Sequence, residues 1–422
     1  MLYGMRSSYR NMITPNGVRI GGLAPQNLAS QYGTPLYAYD AGIIRLRYQE
    51  FSNALPKGLE IFYSVKANPN VAVLSLLSKG KSGADVASKG ELLAAKKAGF
   101  APEKIVFGSP VKSVEEIRLA MEMGVYAINA ESKKDAEKIV EQAESLRKMQ
   151  RLGMRINPAF GIEGVMQSGG GSQKFGIDEE KAVEAIKSIS SKWAYIGGIH
   201  VFAASGVLDA TILADYVKKV FALADKIAAE SGIKLEFIDI GSGIGVPYSE
   251  GEKDFDLKLF SELVSDVVAA HKDCRLMLES GRYLVAEAGA YITKVAEVKE
   301  SRGRTFVLVD GGIHHFLRPA LMGSDHQVYS AARPNAKAEI VADVCGPLCT
   351  SKDVIARNAR LPKVSEGDLL VFMNAGAYGY TESMPFFLSH KTACEVMVDG
   401  PNTYLIRRSI TEEEMLSFQG DV

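Results

Sequence analysis

Between residues 60 and 285 the sequence repeats one pattern, in which a short apolar run is followed by a turn and then by a helix-like segment. Strands that alternate with helices are typical of a parallel sheet covered by helices. The count of eight runs favours a (β/α)8 barrel, while a doubly wound open sheet has the same periodicity and stays open as the alternative. The runs are EIFYSVK (60–66), GADVAS (83–88), KIVFGS (104–109), VYAINA (125–130), LGMRINP (152–158), IGGIHVFA (196–203), EFIDIGSG (236–243) and CRLMLESG (274–281).

The segments between these runs carry signals for helices. Ser88 and Ser113 each precede a glutamate by three residues, at Glu91 and Glu116, which is the spacing of a capping box. Residues 209–232 have apolar side chains at roughly helical spacing and end in glycine. The helix signals therefore agree with the β/α alternation.

The pattern changes after residue 286, where short strand-like runs such as DLLVFMNAG and ACEVMVDG lie between turn residues and helical periodicity is weak. The first part of the chain, with GVRIGG and TPLYAYD, is also strand-like. We therefore predict N-terminal strands (1–40) that pack with a C-terminal β domain (286–422), and between them a cofactor-binding barrel (41–285).

The composition excludes several classes of protein. The 422 residues are 47% hydrophobic and 23% charged, with a net charge of −1, which is an ordinary globular balance without the basic excess that nucleic-acid binding requires. No apolar run is long enough to span a bilayer, and the start MLYGMRSSYRNM lacks the apolar stretch of a secretory signal. We expect a cytoplasmic protein without nucleic-acid or membrane partners, whose four scattered cysteines are reduced.

Polar residues collect at the ends of the predicted strands, which is where a (β/α)8 barrel places its active site. A barrel mouth that holds an amine, carboxylates, an arginine and a glycine loop suits an aldehyde cofactor that carries a phosphate, so we expect pyridoxal 5'-phosphate (PLP). The residues are Lys66, Asp85, Ser88, Ser109, Asn129, Arg155, Asn157, His200, Asp239 with the loop 241–245, and Glu279 with Arg282.

Each of the main groups also has a plain structural explanation. Lys66 suits a Schiff base with the cofactor aldehyde, or it extends into solvent from a strand end. Gly241 and Gly243 leave backbone N–H groups open to phosphate oxygens, although an ordinary βα turn has similar glycines. Glu279 suits a protonated pyridine nitrogen, or it forms a local salt bridge with Arg282.

Taken together, the motifs resemble the PLP-dependent decarboxylases of the alanine-racemase-like fold, the group of diaminopimelate, ornithine and arginine decarboxylases. The matches follow the order of that family from about residue 35 to residue 400. They are FYSVKAN, GADVASKGEL, MRINP, QKFGID, DIGSGIGVPY, ESGRYLVAEAG, VDGG, RPAL, GPLCTSKD and NAGAYG.

The resemblance implies roles for the matching residues. Lys66 forms the Schiff base, with Asp85 and Glu91 beside it, and Glu279 pairs with the pyridine nitrogen. Cys349 is implied as the acid that protonates the product, and it reaches the site from the partner subunit, which implies a homodimer with shared active sites. The implied cofactor contacts are Lys66, Asp85, Arg155 at the phenolic oxygen, Phe202, Ser205, Gly241, Gly243, Glu279, Gly281, Arg282 and Tyr378, and the substrate contacts are Arg282, Arg318, Met322, Thr350 and Tyr378.

Three departures from the family pattern bear on the substrate. Phe202 stands where diaminopimelate and ornithine decarboxylases place a histidine over the cofactor ring, and an aromatic ring can stack there instead. Thr350 replaces the acid that suits a distal ammonium, and a neutral hydroxyl attracts a cation only weakly. Met322 replaces a tyrosine, whereas Arg318 is kept and could bind a distal carboxylate.

A neighbouring branch, which processes carrier-protein-linked glutamyl units or siderophore precursors, is similar in these features and in the histidines His314 and His315. No carboxylate or third ligand is near these two histidines in sequence, so we expect no metal site. The sequence predicts a PLP-dependent α-decarboxylase of an amino acid or amino-acid conjugate in specialised biosynthesis. The alternatives are a meso-diaminopimelate decarboxylase, an amino-acid racemase and a non-catalytic regulatory homologue.

Overall fold

The computed structural model describes residues 12–162, 166–167, 170–202, 204–249, 251–323 and 326–420. The first eleven residues and part of the glycine-rich loop 164–173 lie outside the described residues. Two compact units make up the chain. The barrel unit is formed by Arg47–Val246 and Phe255–Tyr283, and the β unit by Met1–Leu46, Pro247–Asp254 and Leu284–Val422.

The strands of the described residues are β1 (Ile13–Thr14), β2 (Gly17–Val18), β3 (Leu36–Asp40), β4 (Leu59–Ser64), β5 (Gly83–Val86), β6 (Ile105–Gly108), β7 (Ala127–Ala130), β8 (Gln150–Asn157), β9 (Met166–Gln167), β10 (Ile177–Asp178), β11 (Ala194–His200), β12 (Ala204–Ser205), β13 (Phe237–Ser242), β14 (Arg275–Ser280), β15 (Gly289–Ser301), β16 (Arg304–Val309), β17 (Val328–Ser330), β18 (Ile340–Cys345), β19 (Val354–Leu361), β20 (Leu369–Phe372), β21 (Cys394–Asp399) and β22 (Asn402–Arg407).

The α-helices of the same residues are α1 (Pro25–Tyr32), α2 (Ala41–Ala54), α3 (Val71–Lys79), α4 (Lys89–Lys97), α5 (Val114–Met123), α6 (Lys133–Leu146), α7 (Glu179–Ser188), α8 (Ala210–Ser231), α9 (Leu257–Ala270), α10 (Arg282–Val285), α11 (Arg318–Met322) and α12 (Glu412–Leu416). Within the described part of the chain, no helix combines the length and the apolarity that a membrane crossing needs.

A closed ring of parallel strands forms the barrel unit. The strands β4, β5, β6, β7, β8, β11, β13 and β14 pair in parallel in that order, and β14 pairs back onto β4. Side chains from these strands, including Phe62, Phe237 and Met277, are fully buried and fill the interior. The predicted (β/α)8 barrel is confirmed, and the closed ring rules out the open doubly wound sheet.

Local capping signals set the ends of the helices. The predicted helix at 209–232 is α8, which begins after the cap Asp209 and ends at Gly232 in the left-handed conformation. Ser113 and Glu116 form a complete capping box at α5. At α4 only half of the box forms, because Ser88 accepts from the Glu91 N–H while the Glu91 carboxylate accepts from the N–H of Ala87.

The β unit contains a mixed sheet in which an N-terminal strand lies among C-terminal ones. Strand β3 pairs antiparallel with β15 and parallel with β21, which confirms that the N-terminal strands belong with the β domain. The order of the sheet is β19-β18-β16-β15-β3-β21-β22, with β20 pairing to β15 and β17. The core of this unit includes the buried rings of Tyr37, Tyr39, Tyr291, Phe316 and Phe372.

Candidate active site

Lys66 lies just beyond the end of a barrel strand. Strand β4 ends at Ser64, and Lys66 is the middle residue of a single 3-10 turn, Val65–Ala67, so the predicted strand 60–66 extends two residues too far. The Lys66 Nζ is 3.0 Å from the Asp85 Oδ2 of β5 and 5.5 Å from the centroid of the Phe202 ring. The side chain of Lys66 is 43% exposed, so its amine is open to a ligand at the mouth of the barrel.

Glu91 lies near the pair formed by Lys66 and Asp85. Its carboxylate accepts a 2.7 Å hydrogen bond from the N–H of Ala87, close to Asp85. Burial raises the pKa of Glu91 to about 7, and the neighbouring Asp85 adds to the rise while Lys66 opposes it. The residue that the resemblance places beside the Schiff-base lysine therefore changes its charge near neutral pH.

Three buried polar side chains of β11, β13 and β14 form a group. His200, Asp239 and Glu279 each offer a ligand atom, and these atoms all lie within 4.8 Å of one another. Burial raises the pKa of Glu279 well above its usual range and that of Asp239 to about 7, the negative charge of Asp85 adds to both shifts, and that of Asp239 adds to the shift of Glu279. Burial, with help from Arg155 and Lys66, lowers the pKa of His200 well below its usual value, so its ring is neutral at pH 7.

This group fits the ring nitrogen of PLP. The Glu279 Oε1 and both ring nitrogens of His200 are buried without a hydrogen-bond partner among the described residues. The His200 Nε2 lies 3.3 Å from the Glu279 Oε1, but the two atoms do not meet the geometry of a hydrogen bond. Buried polar atoms without partners are costly, and a protonated ring nitrogen would give the Glu279 carboxylate both a donor and a positive charge. The same donor set could hold a metal ion.

Arg155 is oriented by a residue that the sequence analysis did not single out. The Arg155 Nη1 donates to the Glu131 Oε1 at 2.7 Å, and the other carboxylate oxygen of Glu131 accepts from the N–H of Gly176 at 2.8 Å. The guanidinium also lies over the ring of Phe175, 4.6 Å from its centroid. Glu131 directly follows the predicted run VYAINA, so the rule that polar residues follow barrel strands could have identified it.

The glycine-rich segment at the end of β13 passes very close to the neighbouring backbone. Gly241 and Gly243 have φ angles of 60° and 95°. A Cβ at Gly241 would lie 2.5 Å from the carbonyl oxygen of Val201, and one at Gly243 would lie 2.1 Å from that of Ala204. Only glycine fits both the conformation and the space, and such loops present backbone N–H groups to a phosphate.

Ser205 and Arg282 meet beside this loop. The Arg282 Nη2 lies 3.5 Å from the Ser205 Oγ, and Arg282 is the first residue of the short helix α10. Gly281 packs against the turn that carries Lys66, since a Cβ there would lie 2.8 Å from the Cβ of Ala67. The predicted phosphate-binding residues of the barrel unit are therefore brought together around the end of the barrel that carries Lys66.

In the β unit, Arg318 is buried near two tyrosine rings and paired with a glutamate. The Arg318 guanidinium is 5.2 Å from the ring centroid of Tyr378 and 5.7 Å from that of Tyr248. Its Nη1 donates to the Glu382 Oε2 at 2.9 Å. Glu382 could not be identified from the sequence, because a contact across 64 positions leaves no spacing signal. Met322 ends the helix that begins at Arg318 and is half-buried.

Cys349 and Thr350 lie in the loop between β18 and β19. Cys349 is exposed and its thiol is free, while Thr350 is half-buried. Asp353 holds the loop in place. Its two carboxylate oxygens accept hydrogen bonds from the N–H groups of Leu348 at 2.8 Å and of Ile313 at 2.7 Å. The loop therefore presents the predicted catalytic thiol on the surface of its own β unit.

The adjacent histidines gain a third neighbour in the fold. The ring of His314 lies 3.7 Å from that of His315 and 5.0 Å from that of His390, measured between centroids. Burial and the neighbouring imidazoles lower the pKa of His314 to about 3, and burial lowers that of His315 to about 4. This third histidine could not be associated with the pair from the sequence, because His390 is distant along the chain. Among the described residues, only His200, Asp239 and Glu279 bring three metal-binding atoms close enough to hold one ion.

The barrel and the residues at its mouth define a class of protein. Residues 41–286 match the family model described as "Pyridoxal-dependent decarboxylase, pyridoxal binding domain". The chain belongs to this family of PLP-dependent decarboxylases, and it is an enzyme whose cofactor is PLP. The resemblance that the motifs indicated is thereby confirmed.

Two relatives are similar over nearly the whole chain. The "L-glutamyl-[BtrI acyl-carrier protein] decarboxylase" of Niallia circulans is 34% identical over 409 residues, which cover 93% of this chain and 95% of the relative. The "Diaminopimelate decarboxylase" of Methanothermobacter thermautotrophicus is 35% identical over 413 residues, covering 95% of each chain. The two relatives differ in substrate, and their identities to this chain do not separate them.

Solved structures show the same fold. Diaminopimelate decarboxylase from M. jannaschii in complex with L-lysine superposes with a TM-score of 0.90 at 30% identity, covering 97% of both chains. The Helicobacter pylori diaminopimelate decarboxylase complexed with L-lysine gives a TM-score of 0.86 at 32% identity, covering 93% of this chain and 98% of that one. These comparisons establish a PLP-dependent amino-acid decarboxylase and leave its particular substrate to be inferred from the site.

Proposed function

We propose that this decarboxylase acts on an amino acid whose distal end is joined to a carrier protein or to another group, as in siderophore or carrier-linked biosynthesis. The observation that carries the proposal is Thr350, a neutral residue where the resemblance places an acid for a distal ammonium. Met322 removes a second polar partner, and the similarity to a carrier-linked glutamyl decarboxylase supports the same class of substrate. The cytoplasmic location stays a prediction.

When bound, PLP would supply an aldehyde that takes up amino groups and a pyridine ring that accepts the electron pair left on the α-carbon when carbon dioxide leaves. We propose that Lys66 holds the cofactor covalently and is set in place by Asp85. Glu279 holds a proton at the ring nitrogen, and Phe202 covers the face of the ring. A carboxylate at that nitrogen keeps the ring a strong electron acceptor, which favours decarboxylation over racemisation.

The remaining predicted site residues bind and orient the cofactor or the substrate. Arg155, fixed by Glu131, contacts the phenolic oxygen of the cofactor. Ser205, Gly241, Gly243, Gly281 and Arg282 bind its phosphate, with Tyr378 adding a hydroxyl. Arg282 and Tyr378 also border the substrate, together with Arg318, Met322 and Thr350.

We further propose a homodimer in which the partner subunit's Cys349 returns a proton to the α-carbon after carbon dioxide has left. The exposed position of Cys349 on its loop supports a role outside its own β unit. A thiol that donates this proton becomes a thiolate, and it is reprotonated from solvent before the next turnover.

A second candidate is meso-diaminopimelate decarboxylation in lysine biosynthesis. Arg318 favours it, since a guanidinium binds a distal carboxylate well, and a relative of that activity is 35% identical. The two candidates therefore differ in what the distal subsite accepts.

A decarboxylation screen tests the proposal. Release of labelled carbon dioxide from 1-labelled substrates is compared for meso-diaminopimelate, free ornithine, lysine and arginine, and amide-linked or carrier-linked glutamyl conjugates. We expect turnover of a conjugate and poor turnover of the free diamino acids. Efficient turnover of ornithine, lysine or arginine would overturn the argument from Thr350, and efficient turnover of diaminopimelate alone would select the second candidate.

A separate measurement tests Lys66. Reduction of the holoenzyme with borohydride should fix the cofactor on one lysine, and peptide mass spectrometry should find it on Lys66. The exposed Lys57 serves as a comparison within the same barrel unit. An adduct on any other lysine, or none, would remove Lys66 from its proposed role.

A further inference from the structure

The charge of Arg318 is already balanced inside the protein. Arg318 is 4% exposed, and its Nη1 donates to the Glu382 Oε2 at 2.9 Å. The rings of Tyr378 and Tyr248 lie on the guanidinium, 5.2 Å and 5.7 Å away from its central carbon. A buried arginine requires a counter-charge, and the chain supplies one through Glu382 without any ligand.

The serine that follows this glutamate connects its segment to that of Arg318. The Oγ of the next residue, Ser383, lies 2.6 Å from the carbonyl oxygen of His315. It also accepts a 3.4 Å hydrogen bond from the N–H of Leu317. Leu317 directly precedes Arg318 at the start of α11. The segments that carry Arg318 and Glu382 are therefore tied together through Ser383, next to the ion pair.

A buried donor of Arg318 is not used by the described part of the protein. Its Nε–H is buried and has no hydrogen-bond partner among the described residues. A guanidinium that has given one edge to Glu382 retains this donor for a neutral acceptor such as an amide or thioester carbonyl. A second carboxylate would instead meet the negative charge of Glu382, whose side chain is 33% exposed and so only partly screened by water.

We propose that Glu382 is a specificity-determining residue, which neutralises Arg318 and makes the distal subsite select a neutral acyl end over a free carboxylate. The proposal rests on the proposed function and deepens it, since a carrier-linked or amide-linked glutamyl group has a neutral distal end. Selection of this kind works by repulsion of the wrong substrate as much as by attraction of the right one.

The test compares two substrates that differ only in this end, L-glutamate and L-glutamate γ-methylamide, on the holoenzyme. The variants are Glu382→Gln, which keeps an acceptor for Arg318 but removes the charge, and the matched control Glu366→Gln at an exposed turn of the same β unit. We expect wild-type protein and the control to prefer the amide. Glu382→Gln should raise kcat/KM for L-glutamate relative to the amide by at least about tenfold, since the repulsion is then gone.

Three results would overturn the proposal. A ratio that changes by less than about twofold would show that the charge of Glu382 does not act on the substrate. An equal fall in kcat/KM for both substrates, with weaker cofactor binding, would make Glu382 a positioning residue for Arg318. A loss of activity confined to ornithine or lysine would make Glu382 an anchor for a distal ammonium.

Binding separates this proposal from the proposed function. If wild-type protein decarboxylates neither substrate nor any conjugate, the proposed function fails, and calorimetry with the unreactive dicarboxylate glutarate decides the role of Glu382. A dissociation constant for glutarate that is about tenfold lower in Glu382→Gln and unchanged in Glu366→Gln supports the proposal. Equal affinities in the three proteins contradict it.

Discussion

The carboxylates of Asp239 and Glu279 are buried next to each other. A carboxylate oxygen of each and a ring nitrogen of His200 all lie within 4.8 Å of one another. Neither position is a natural place for a charge, since both side chains are almost fully buried. Burial penalises the charged form of each carboxylate, and the nearby Asp85 adds to both shifts, which explains why the pKa of each is raised. A positive ring nitrogen at Glu279 would relieve this cost, so the site is electrostatically prepared for its cofactor.

A first prediction concerns the stability of the cofactor-free protein. The pKa of Asp239 is about 7 in the folded chain against 3.8 for the free side chain. Folding therefore binds a proton, and the stability linked to this proton is present below pH 4 and is lost as the pH rises through about 7. Asp239→Asn should reduce the fall in unfolding free energy across this window by up to about 1.4 kcal/mol per pH unit.

Urea unfolding at several pH values measures this effect. The control is Asp215→Asn, which removes an exposed carboxylate from α8. An unchanged slope in Asp239→Asn would mean that Asp239 is ionised in the folded protein. Reconstitution with PLP should flatten the slope in the unaltered protein, because the cofactor adds a positive charge beside the two acids.

A second prediction concerns Glu131 and Arg155. Removing one partner of a buried ion pair leaves the other charge uncompensated, so Glu131→Ala and Arg155→Ala should each destabilise the fold by about 3 kcal/mol. The double variant should cost clearly less than the two single changes together, because no unpaired charge remains. Chemical denaturation of the four proteins gives the coupling energy, and additive costs would contradict the pairing.

The same variants separate stability from orientation of the cofactor. Glu131→Gln keeps an oxygen that can accept from Arg155, so we expect a smaller loss of stability than in Glu131→Ala. We still expect weaker affinity for PLP, since Arg155 is held less firmly. Titration of the apo protein by its visible absorbance measures this affinity, and an affinity equal to that of the unaltered protein would leave Glu131 without a role in the site.

A third prediction concerns the close approach at Gly243. Gly243→Ala would place a Cβ 2.1 Å from the carbonyl oxygen of Ala204 at a φ of 95°, so the loop must move. Gly232→Ala is the matched control, because Gly232 also has a positive φ, of 76°, but a Cβ there would meet no atom within 4 Å. Both variants should lose about 1 kcal/mol through backbone strain.

Only Gly243→Ala should also lose affinity for the phosphate group of PLP. We expect the dissociation constant of PLP to rise by at least about tenfold in this variant, since the loop that presents its N–H groups is displaced. Pyridoxal without its phosphate should bind equally poorly to both proteins. A normal PLP affinity in Gly243→Ala would place the phosphate elsewhere.

A fourth prediction tests whether active sites are shared between subunits. Lys66→Ala and Cys349→Ala should each be nearly inactive, while Cys349→Ala should keep its cofactor. Random exchange of subunits between these two variants should restore about one quarter of the full activity, because half of the dimers are mixed and each mixed dimer has one intact site.

A mixture of Lys66→Ala with Glu279→Ala provides the control for this experiment. Both residues lie in the same barrel unit, so in a mixed dimer one barrel lacks Lys66 and the other lacks Glu279, and neither site is intact. We therefore expect no recovery from this mixture. Recovery in neither mixture would assign Cys349 to the site of its own chain or remove it from catalysis.

The sequence alone determined the architecture and the cofactor. A strand and the helix that follows it are set by local periodicity and capping, and eight repeats of that unit fix where the carboxyl ends of the strands gather. Lys66, Asp85, Arg155 and Glu279 could therefore be assigned to one mouth from their places in the runs. Gly241 and Gly243 were visible for the same reason, because a tight loop after a strand requires glycine locally.

Only the tertiary structure decided which charges balance one another. The turn at Lys66, the half-formed capping box at Glu91 and the pairs Arg155–Glu131 and Arg318–Glu382 depend on burial and on contacts between distant segments. Desolvation makes such pairing obligatory, but it acts on the folded neighbourhood, which no spacing along the chain records. The sequence therefore determined where the chemistry takes place, while packing determined the charges that select its substrate.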